Sequence, residues 1–421
     1  MPQNWKTYKL QELTSKIGSG ATPRGGKEAY KERGTSLIRS QNVLDFSFSI
    51  NGLAFIDDAQ AKALNSVSIE SRDVLLNITG DSVARVCKVP DKWLPARVNQ
   101  HVAIVRANQK ILCPKFLLYY LLTKRNKDKL LTLASAGATR NALTKTMIED
   151  FEITMPPIKE QKAIASILSA LDDKIELNLQ MNKTLEEMAM ALYKHWFVDF
   201  GPFQNGEFVD SELGVIPKGW EVKRLNEIAH KKSDTFNFSD KKEVVFVNTG
   251  DVQEGRFLHS NKISKEGLPG QAKKAIAKDD ILYSEIRPKN KRYAYVNFDS
   301  SNYVVSTKFM VINPKDNILN KLLYRILTIQ STVDNFNSIA EGRSGTFPQI
   351  TFDAISEMEV VLPPLKIQKE FQSIVEPIEL QQDDLYTETQ TLTTLRDTLL
   401  PKLISGEVRV KDAEKILTAA L

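Results

Sequence analysis

The chain has 421 residues, 42% of them hydrophobic and 26% charged, with a formal net charge of +5. This length suits two to four globular domains, and no run of about 18 apolar residues is present that would span a membrane. Residues 1–13 lack the basic and apolar segments of an export signal, and the only cysteines are Cys87 and Cys113, so we expect a cytoplasmic protein without a disulfide framework.

The first part of the chain, residues 1–156, is predicted to be an α+β domain. β-Branched and aromatic runs at 36–39, 74–78 and 102–105 predict strands, which are separated by segments rich in Gly, Asn, Asp and Ser. The segment 114–123 predicts a helix. A globule of about 150 residues follows from these elements.

Residues 157–198 carry a heptad pattern that predicts a long helix. Mostly apolar side chains recur at alternating steps of four and three residues, like the a and d positions of a coiled coil. These positions hold Ile164, Leu168, Leu171, Ile175, Asn178, Asn182, Leu185, Ala189, Leu192 and Trp196. The two asparagines would fix the register of a helix pair at some cost in stability. The next segment, 199–216, is rich in Gly, Pro and Asp and predicts an extended linker.

The same order of elements returns in the rest of the chain. A second domain is predicted at 217–363, with strands at 244–247 and 304–312 and a helix at 320–328. A second long helix is predicted at 364–406, followed by a tail at 407–421.

The second helix carries the second copy of the heptad seam. Its positions hold Phe371, Val375, Ile378, Gln382, Leu385, Thr389, Leu392, Arg396, Leu399 and Leu403. Two copies of one seam in one chain indicate an intramolecular coiled coil, and two helices packed on separate domains are the alternative. Pro377 lies in the first third of this helix and should kink or delay it.

Five matched segments, in the same order in both halves, show that the chain is an internal duplication. They are Pro2-Gln-Asn-Trp5 with Pro217-Lys-Gly-Trp220, 37–43 with 246–252, 73–76 with 280–283, 117–122 with 322–327, and 151–157 with 358–364. Gln161 and Gln368 follow the last pair at matched positions.

Motifs of the common catalytic and nucleotide-binding sites are missing from the sequence. It has no G-x-x-x-x-G-K-[ST], no G-x-G-x-x-G after a strand and no G-x-S-x-G. The four histidines, His101, His195, His230 and His259, lack metal-ligand spacing. We therefore expect no catalytic residue and no metal site, and interpret the chain as a duplicated binding protein with a rigid spacer.

Several segments at the domain junctions resemble the conserved regions of specificity subunits from type I restriction-modification systems. Ala191-Leu-Tyr-Lys-His-Trp-Phe-Val-Asp-Phe200 and Glu212-Leu-Gly-Val-Ile-Pro-Lys-Gly-Trp220 resemble the central region of that family. Leu399-Leu-Pro-Lys-Leu-Ile-Ser-Gly-Glu-Val-Arg-Val410 resembles the C-terminal one. The Pro-Pro segments before Gln161 and Gln368 resemble the junctions between recognition domains and spacer helices.

The resemblance implies an α+β fold with two tandem α/β target-recognition domains in a pseudo-two-fold arrangement, separated by two long antiparallel coiled-coil helices. It implies a non-catalytic subunit in which each domain reads one half of a bipartite, asymmetric site on double-stranded DNA. The coiled coil would set the gap and dock two modification (methyltransferase) subunits, and through them restriction (helicase-nuclease) subunits. S-adenosylmethionine, ATP and Mg are expected on those partners, with no cofactor on this chain.

The chemistry of DNA reading selects candidate residues in the loops. Arg, Asn and Gln distinguish base edges by paired hydrogen bonds, while Lys, Ser and Thr anchor phosphates. In the first domain the candidates are Arg39, Ser40, Gln41, Asn42, Thr79, Ser82, Arg85, Thr139, Arg140 and Asn141. In the second they are Asn248, Thr249, Asp251, Arg287, Lys289, Arg292, Arg343, Ser344 and Thr346. An ordinary loop or turn role is the alternative for each.

Basic residues are concentrated in one stretch of the second domain. The cluster consists of Lys273, Lys274, Lys278, Arg287, Lys289, Lys291 and Arg292. It is suited to neutralise phosphates, and a solvated basic face is the alternative. Gly137 and Gly342 precede the third candidate loop of each domain and are predicted to be turn residues with unusual backbone angles.

Two other functions are compatible with these features. One is the recognition subunit of a related restriction system whose partner is a fused nuclease-methyltransferase. The other is a coiled-coil DNA-binding scaffold or regulator without restriction partners.

Overall fold

The computed structural model of the chain describes residues 4–23, 25–136, 141–343 and 346–420. The chain divides into two compact units, one formed by residues 1–180 with 385–421 and the other by residues 181–384. Each unit therefore contains one of the duplicated domains and about half of each long helix.

The first domain is built from short strands with helices between them. Its elements are β1 (Lys6–Lys9), α1 (Leu10–Leu13), β2 (Thr14–Ser19), β3 (Thr35–Ile38), β4 (Ala54–Ile56), α2 (Asp58–Ala63), β5 (Ser68–Ile69), β6 (Val74–Asn77), β7 (Val86–Lys88), β8 (Ala96–Val98), β9 (Val102–Ala107), α3 (Pro114–Leu122), α4 (Lys124–Ser135), α5 (Lys145–Glu149) and β10 (Glu152–Met155). The first long helix, α6, spans Ile158–Phe197.

Two four-stranded sheets form this domain, with strand orders β2-β9-β6-β7 and β4-β3-β8-β5. β3 and β8 are parallel, whereas the other neighbours are antiparallel. β1 pairs with β10, so Lys6 lies opposite Met155 and the two ends of the domain meet beside the start of α6. The predicted strands and the helix at 114–123 are confirmed within one to two residues.

The central strand β6 is buried on both faces. Val74 and Leu76 belong to the core that contains Phe116 of α3, whereas Leu75 belongs to the core between the two sheets. Successive side chains of a strand point to opposite faces, so a continuous apolar run is what a strand covered on both sides requires.

The second domain follows α6 and repeats this topology. Its elements are β11 (Phe208–Ser211), β12 (Gly214–Pro217), β13 (Glu221–Arg224), α7 (Leu225–Ile228), β14 (Ala229–Lys232), β15 (Glu243–Val247), β16 (Val252–Gln253), β17 (Arg256–Phe257), β18 (Lys262–Ser264), β19 (Ala272–Ala275), β20 (Ile281–Ser284), β21 (Tyr293–Tyr295), β22 (Tyr303–Ser306), β23 (Phe309–Pro314), α8 (Asn320–Thr328), α9 (Gln330–Arg343), α10 (Phe352–Ile355) and β24 (Glu359–Leu362). The sheets are β14-β23-β20-β21 and β18-β15-β22-β19, and β13 pairs with β24. This repeated order confirms the duplication.

Two expectations for the second domain are wrong. The composition of residues 199–216 predicts an extended linker, but β11 and β12 pair as a hairpin. Phe200 and Phe203 hold this segment in place, because their rings lie 5.4 and 5.1 Å from that of Trp220. Gly342, expected in a turn, lies in the last turn of α9, and its counterpart Gly137 is outside the described residues.

The second long helix, α11, spans Leu365–Ser405, and α12 spans Val410–Ala420 in the predicted tail. Pro377 does not delay α11, which begins twelve residues earlier. Phe371 and Val375, in the turns that precede Pro377, are fully buried, whereas Pro377 is exposed. Proline has no backbone N–H to donate, and the packing of these neighbours keeps the helix continuous across it. α12 packs on the first core through Ala413.

The two long helices run antiparallel within each unit. In the first unit, Arg396 lies 3.0 Å from Asp172 and Glu388 accepts a 2.8 Å hydrogen bond from Asn178. In the second, the rings of Phe197 and Phe371 lie 4.7 Å apart. All twenty predicted seam positions are buried or half-buried, which confirms the coiled-coil prediction.

One buried glutamine in each repeat ties the start of a long helix to its domain. The Gln161 side chain accepts a 2.8 Å hydrogen bond from the Cys113 backbone and donates to the carbonyls of Ile111 and Pro156. Gln368 does the same with the Leu319 backbone and the carbonyls of Asn317 and Pro363. Cys113 and Leu319 are the N-cap residues of α3 and α8. Each glutamine therefore connects the start of its long helix to the start of a helix in the domain.

We predict that Gln161→Leu destabilises the chain by at least about 2 kcal/mol, because buried backbone groups lose their partner at about 1–3 kcal/mol each. The urea midpoint measures this change. Lys162→Leu is the matched control, since Lys162 is the exposed neighbour on the same helix and should change stability by less than about 0.5 kcal/mol. Equal midpoints for the two variants would contradict the role assigned to Gln161.

Candidate nucleic-acid interface

Three predicted loops of the first domain are joined at the carboxyl ends of β3 and β6. The buried Asn77 side chain donates a 2.9 Å hydrogen bond to the carbonyl of Ser40, which connects the 39–42 loop to β6. The Gly80 backbone donates to the carbonyl of Asn141 at 3.1 Å, which connects the second loop to the third. Residues far apart in sequence therefore form one surface.

The first loop holds two of its predicted readers at the surface. The Arg39 guanidinium donates to the carbonyl of Gly52 and lies 5.1 Å from the Tyr30 ring centroid. Gln41 is exposed and donates to the carbonyls of Asn51 and Gly52, both at 3.2 Å. Ser40 is half-buried.

Asn42 does not present its amide on this surface. Its side chain is fully buried, accepts a hydrogen bond from the Arg39 backbone at 3.1 Å and donates to the carbonyl of Ser49 at 2.9 Å. Asn42 therefore holds the loop together, which is the alternative role given for it above.

The second and third loops present small polar groups and one arginine. Thr79 Oγ1 lies 2.6 Å from His101 Nδ1, and Ser82 and Arg85 are half-buried beside it in sequence. Asn141 is exposed. The candidates Thr139 and Arg140 lie outside the described residues.

In the second domain the loop at 248–251 is occupied by its own hydrogen bonds. Asn248 accepts from the Thr249 backbone at 2.8 Å, and Asp251 accepts from the Asn248 backbone at 2.8 Å. Thr249 is buried, and Asp251 lies 3.4 Å from His259 Nε2. These three residues form a capped turn in this structure, which is the alternative role given for them above.

The remaining candidates of the second domain that the structure describes are exposed or half-buried. The Arg287 backbone donates to the carbonyl of Pro348 at 3.0 Å, so the 287–292 turn and the segment after α9 lie together. Arg287, Lys289, Arg343 and Thr346 are exposed, and Arg292 is half-buried. Ser344 is outside the described residues.

Equivalent backbone hydrogen bonds align the two domains at this surface. The backbone N–H of Asn77 donates to the carbonyl of Arg85, and the backbone N–H of Ser284 donates to the carbonyl of Arg292, each at 2.9 Å. Arg85 and Arg292 therefore occupy one structural position. The two domains share this scaffold and the arginine on it, but differ at other aligned positions, such as Ser82 and Lys289.

The basic cluster at 273–292 is divided between elements. Lys273 and Lys274 belong to β19, whereas the residues from Arg287 to Arg292 form the turn between β20 and β21. Lys274 donates to the carbonyl of Phe309 at 2.6 Å, and burial together with the charge of Lys231 lowers the pKa of Lys274. Lys289 lies 3.7 Å from Glu341 and Lys291 lies 3.9 Å from Glu254.

Sequence reasoning missed the ionic contacts by which each recognition domain meets its long helices. In the first unit, Asp172 of α6 accepts a 2.6 Å hydrogen bond from the Tyr119 hydroxyl and pairs with Arg396 of α11. The Arg396 guanidinium lies 4.0 Å from the centre of the Phe46 ring, in the turn after the first candidate loop. Burial lowers the pKa of Arg396, but hydrogen bonds to Asp172 and Asp397 outweigh it and the net pKa is raised.

In the second unit an acidic residue at the matched helix position has other partners. Glu379 lies 2.6 Å from Lys321 and 2.8 Å from Arg325, both on α8, and the Arg325 side chain is only 5% exposed. Burial raises the pKa of Glu379, but the hydrogen bond from Lys321 and the charges of both cations outweigh burial, so the net pKa is lowered.

Neither a metal-ligand cluster nor a membrane-spanning helix is found in the described ranges. No group of three or more His, Cys, Asp or Glu residues there could hold a metal ion. No helix within 4–420, outside the gaps, is both long and apolar enough to cross a membrane.

The fold and the surface define a duplicated protein in which two α/β domains, each with polar loops joined at an equivalent strand end, share a pair of long helices. The family model for the type I restriction modification DNA specificity domain matches residues 2–187 and 217–393. The chain therefore belongs to the family of type I restriction-modification specificity subunits.

Known members agree with this assignment. The HindI specificity subunit of Haemophilus influenzae is 48% identical over 177 residues, which are 42% of this chain and 38% of that protein. The MjaIX specificity subunit of Methanocaldococcus jannaschii is 26% identical over 98% of this chain and 95% of its own length. The crystal structure of an S subunit from M. genitalium has a TM-score of 0.58 at 16% identity over 95% of this chain and 96% of that one, which shows the shared fold.

We predict that Glu379→Gln destabilises the chain by about 3 kcal/mol at neutral pH, because the buried Arg325 loses its nearer counter-charge at 2.8 Å and keeps the half-exposed Glu186 at 3.9 Å. A lowered folded-state pKa contributes stability that is present above the unfolded value of about 4.3 and lost as the pH falls through the folded value. The difference from wild type should therefore shrink below about pH 4, as measured by urea unfolding across pH.

Glu187→Gln is the control, since Glu187 is an exposed carboxylate of α6 that lies 3.8 Å from the likewise exposed Lys183. It should stay within about 0.5 kcal/mol of wild type at every pH. A pH-independent loss for Glu379→Gln would refute the assigned charge pairing.

Proposed function

We propose that this chain reads a bipartite, asymmetric site on double-stranded DNA, one half-site per domain, and catalyses no reaction itself. The observation that supports it is the repeated surface: a backbone hydrogen bond joins the turn after β6 to the third loop in the first domain, and an equivalent one joins the 287–292 turn to the segment after α9 in the second. Because equivalent positions carry different side chains, the two domains should read different base sequences.

We infer that the long helices set the gap between the half-sites and dock two modification subunits, which recruit restriction subunits. Helices of 40 and 41 residues are about 60 Å long at about 1.5 Å per residue. S-adenosylmethionine, ATP and Mg are proposed to bind those partners. The relatives' names, as specificity subunits of type I restriction enzymes, support such a division of labour.

The test exchanges residues 217–363 for the equivalent domain of a related subunit and determines the methylated sequence in a host. One half of the recognised site should change and the other should be retained, because each domain has its own core and its own loop surface. A change in both halves would mean that the domains do not read independently. Methylation by the purified chain without a modification subunit would contradict the non-catalytic role.

Phosphate contacts should be separable from base contacts by salt. Lys289→Ala should weaken binding of the assembled complex to all DNA sequences alike and reduce the salt slope by about one unit, as expected for one lost phosphate contact. Lys218→Ala is a matched control: both lysines are exposed and pair with one glutamate, Lys218 with Glu207 and Lys289 with Glu341. A sequence-dependent loss for Lys289→Ala would assign Lys289 to a base.

A further inference from the structure

Gly80 and Arg287 occupy the same place in the two domains. Isolated bridges pair Thr79 with Ala142 and Ile286 with Gln349, and the next residue of each turn donates its backbone N–H across to the third loop. Both turns also place that residue in the left-handed region, with φ of +73° for Gly80 and +47° for Arg287.

An arginine at this position carries a conformational cost that a glycine avoids. The Cβ of an L-residue disfavours positive φ, and glycine adopts it freely. Three contacts hold Arg287 there: its N–H donates to Pro348, its carbonyl accepts from Asn290 at 2.8 Å, and Ile350 donates to Glu285 at 2.8 Å. Non-glycine residues held in such conformations concentrate at functional sites.

The Arg287 side chain is displayed beside an exposed aromatic ring. Its guanidinium lies 5.9 Å from the Phe347 ring centroid, within the distance of a cation–π contact, and Phe347 is 61% exposed. The exposed Lys289 and Arg343 belong to the same turn and to the end of α9, while Glu341 is the carboxylate next to Lys289. The turn and the Phe347 ring thus limit the conformations of the Arg287 guanidinium, which remains exposed to solvent.

We propose that Arg287 is the guanine-reading residue of the second domain, which donates two hydrogen bonds to O6 and N7 of one guanine in the major groove. A planar guanidinium matches that pair of acceptors, and this is the most common specific contact to a base. Holding the arginine in a strained, stacked position reduces the entropy that ordering it on DNA would cost. The inference rests on the proposed function, because it needs the second domain to read a half-site.

The decisive variant is Arg287→Gly, which gives the second domain the residue of the first. The assembled methyltransferase complex is tested on its methylated site and on every single-base-pair substitution of it, and the thermal midpoint of the chain is measured. The midpoint should not fall, since glycine relieves the backbone. Discrimination at one G·C pair of the second half-site should drop by about tenfold or more, and discrimination in the first half should be unchanged.

A second measurement needs no variant. Replacing that guanine by 7-deazaguanine removes N7, so wild-type binding should weaken severalfold while Arg287→Gly should be insensitive. Uniform weakening on all sequences with a smaller salt slope would make Arg287 a phosphate contact and overturn the proposal. A second half-site without guanine, or a lowered midpoint for Arg287→Gly, would also overturn it. Wild-type indifference to every substitution in the second half would instead refute the proposed function.

Discussion

One buried glutamine amide joins each domain to the start of its long helix. Gln161 and Gln368 each satisfy a helix-capping N–H and two carbonyls at the point where a Pro-Pro pair turns the chain into a long helix. An amide is suited to this place because it donates and accepts at once, while a carboxylate or an alkyl group would leave buried groups without partners. The candidate loops lie at the ends of the sheet strands, and the glutamine links this domain to its helix. The amide therefore helps to fix how the loop surface is oriented relative to that helix segment.

The two repeats neutralise a matched acidic residue of their long helices with different partners. Each places one acidic residue at the same position of its long helix, Asp172 in the first and Glu379 in the second. In the first unit the counter-charge comes from the other long helix, through Arg396, and the domain contributes only the Tyr119 hydroxyl. In the second unit both cations come from the domain itself. Ala189 occupies the position of α6 that is equivalent to Arg396 of α11. The second unit therefore has no arginine of the other long helix at this position to pair with Glu379.

Periodicity in the sequence was sufficient to predict the duplication, the long helices and their seam, because those features depend on side chains that recur at fixed spacing. The seam asparagine Asn178 could be placed in this way, but its partner Glu388 could not, since the register between helices is a tertiary property. Local composition misled for residues 199–216, where glycine and proline suggested an extended linker and aromatic packing produces a hairpin. Candidate readers were chosen by residue type, which cannot distinguish an exposed Gln41 from a buried Asn42. The strain at Arg287 has no sequence signature except its alignment with Gly80.

The composition of the two units has a consequence for folding during synthesis. The second unit is one continuous segment, 181–384, whereas the first needs residues 385–421 to be complete. At about 5–20 residues per second, roughly 10–40 s pass between the emergence of α6 and that of the helix segment that covers Leu168 and Leu171. During that interval an apolar stripe of the first unit is open to other chains, until residues 385–421 are synthesised and cover it.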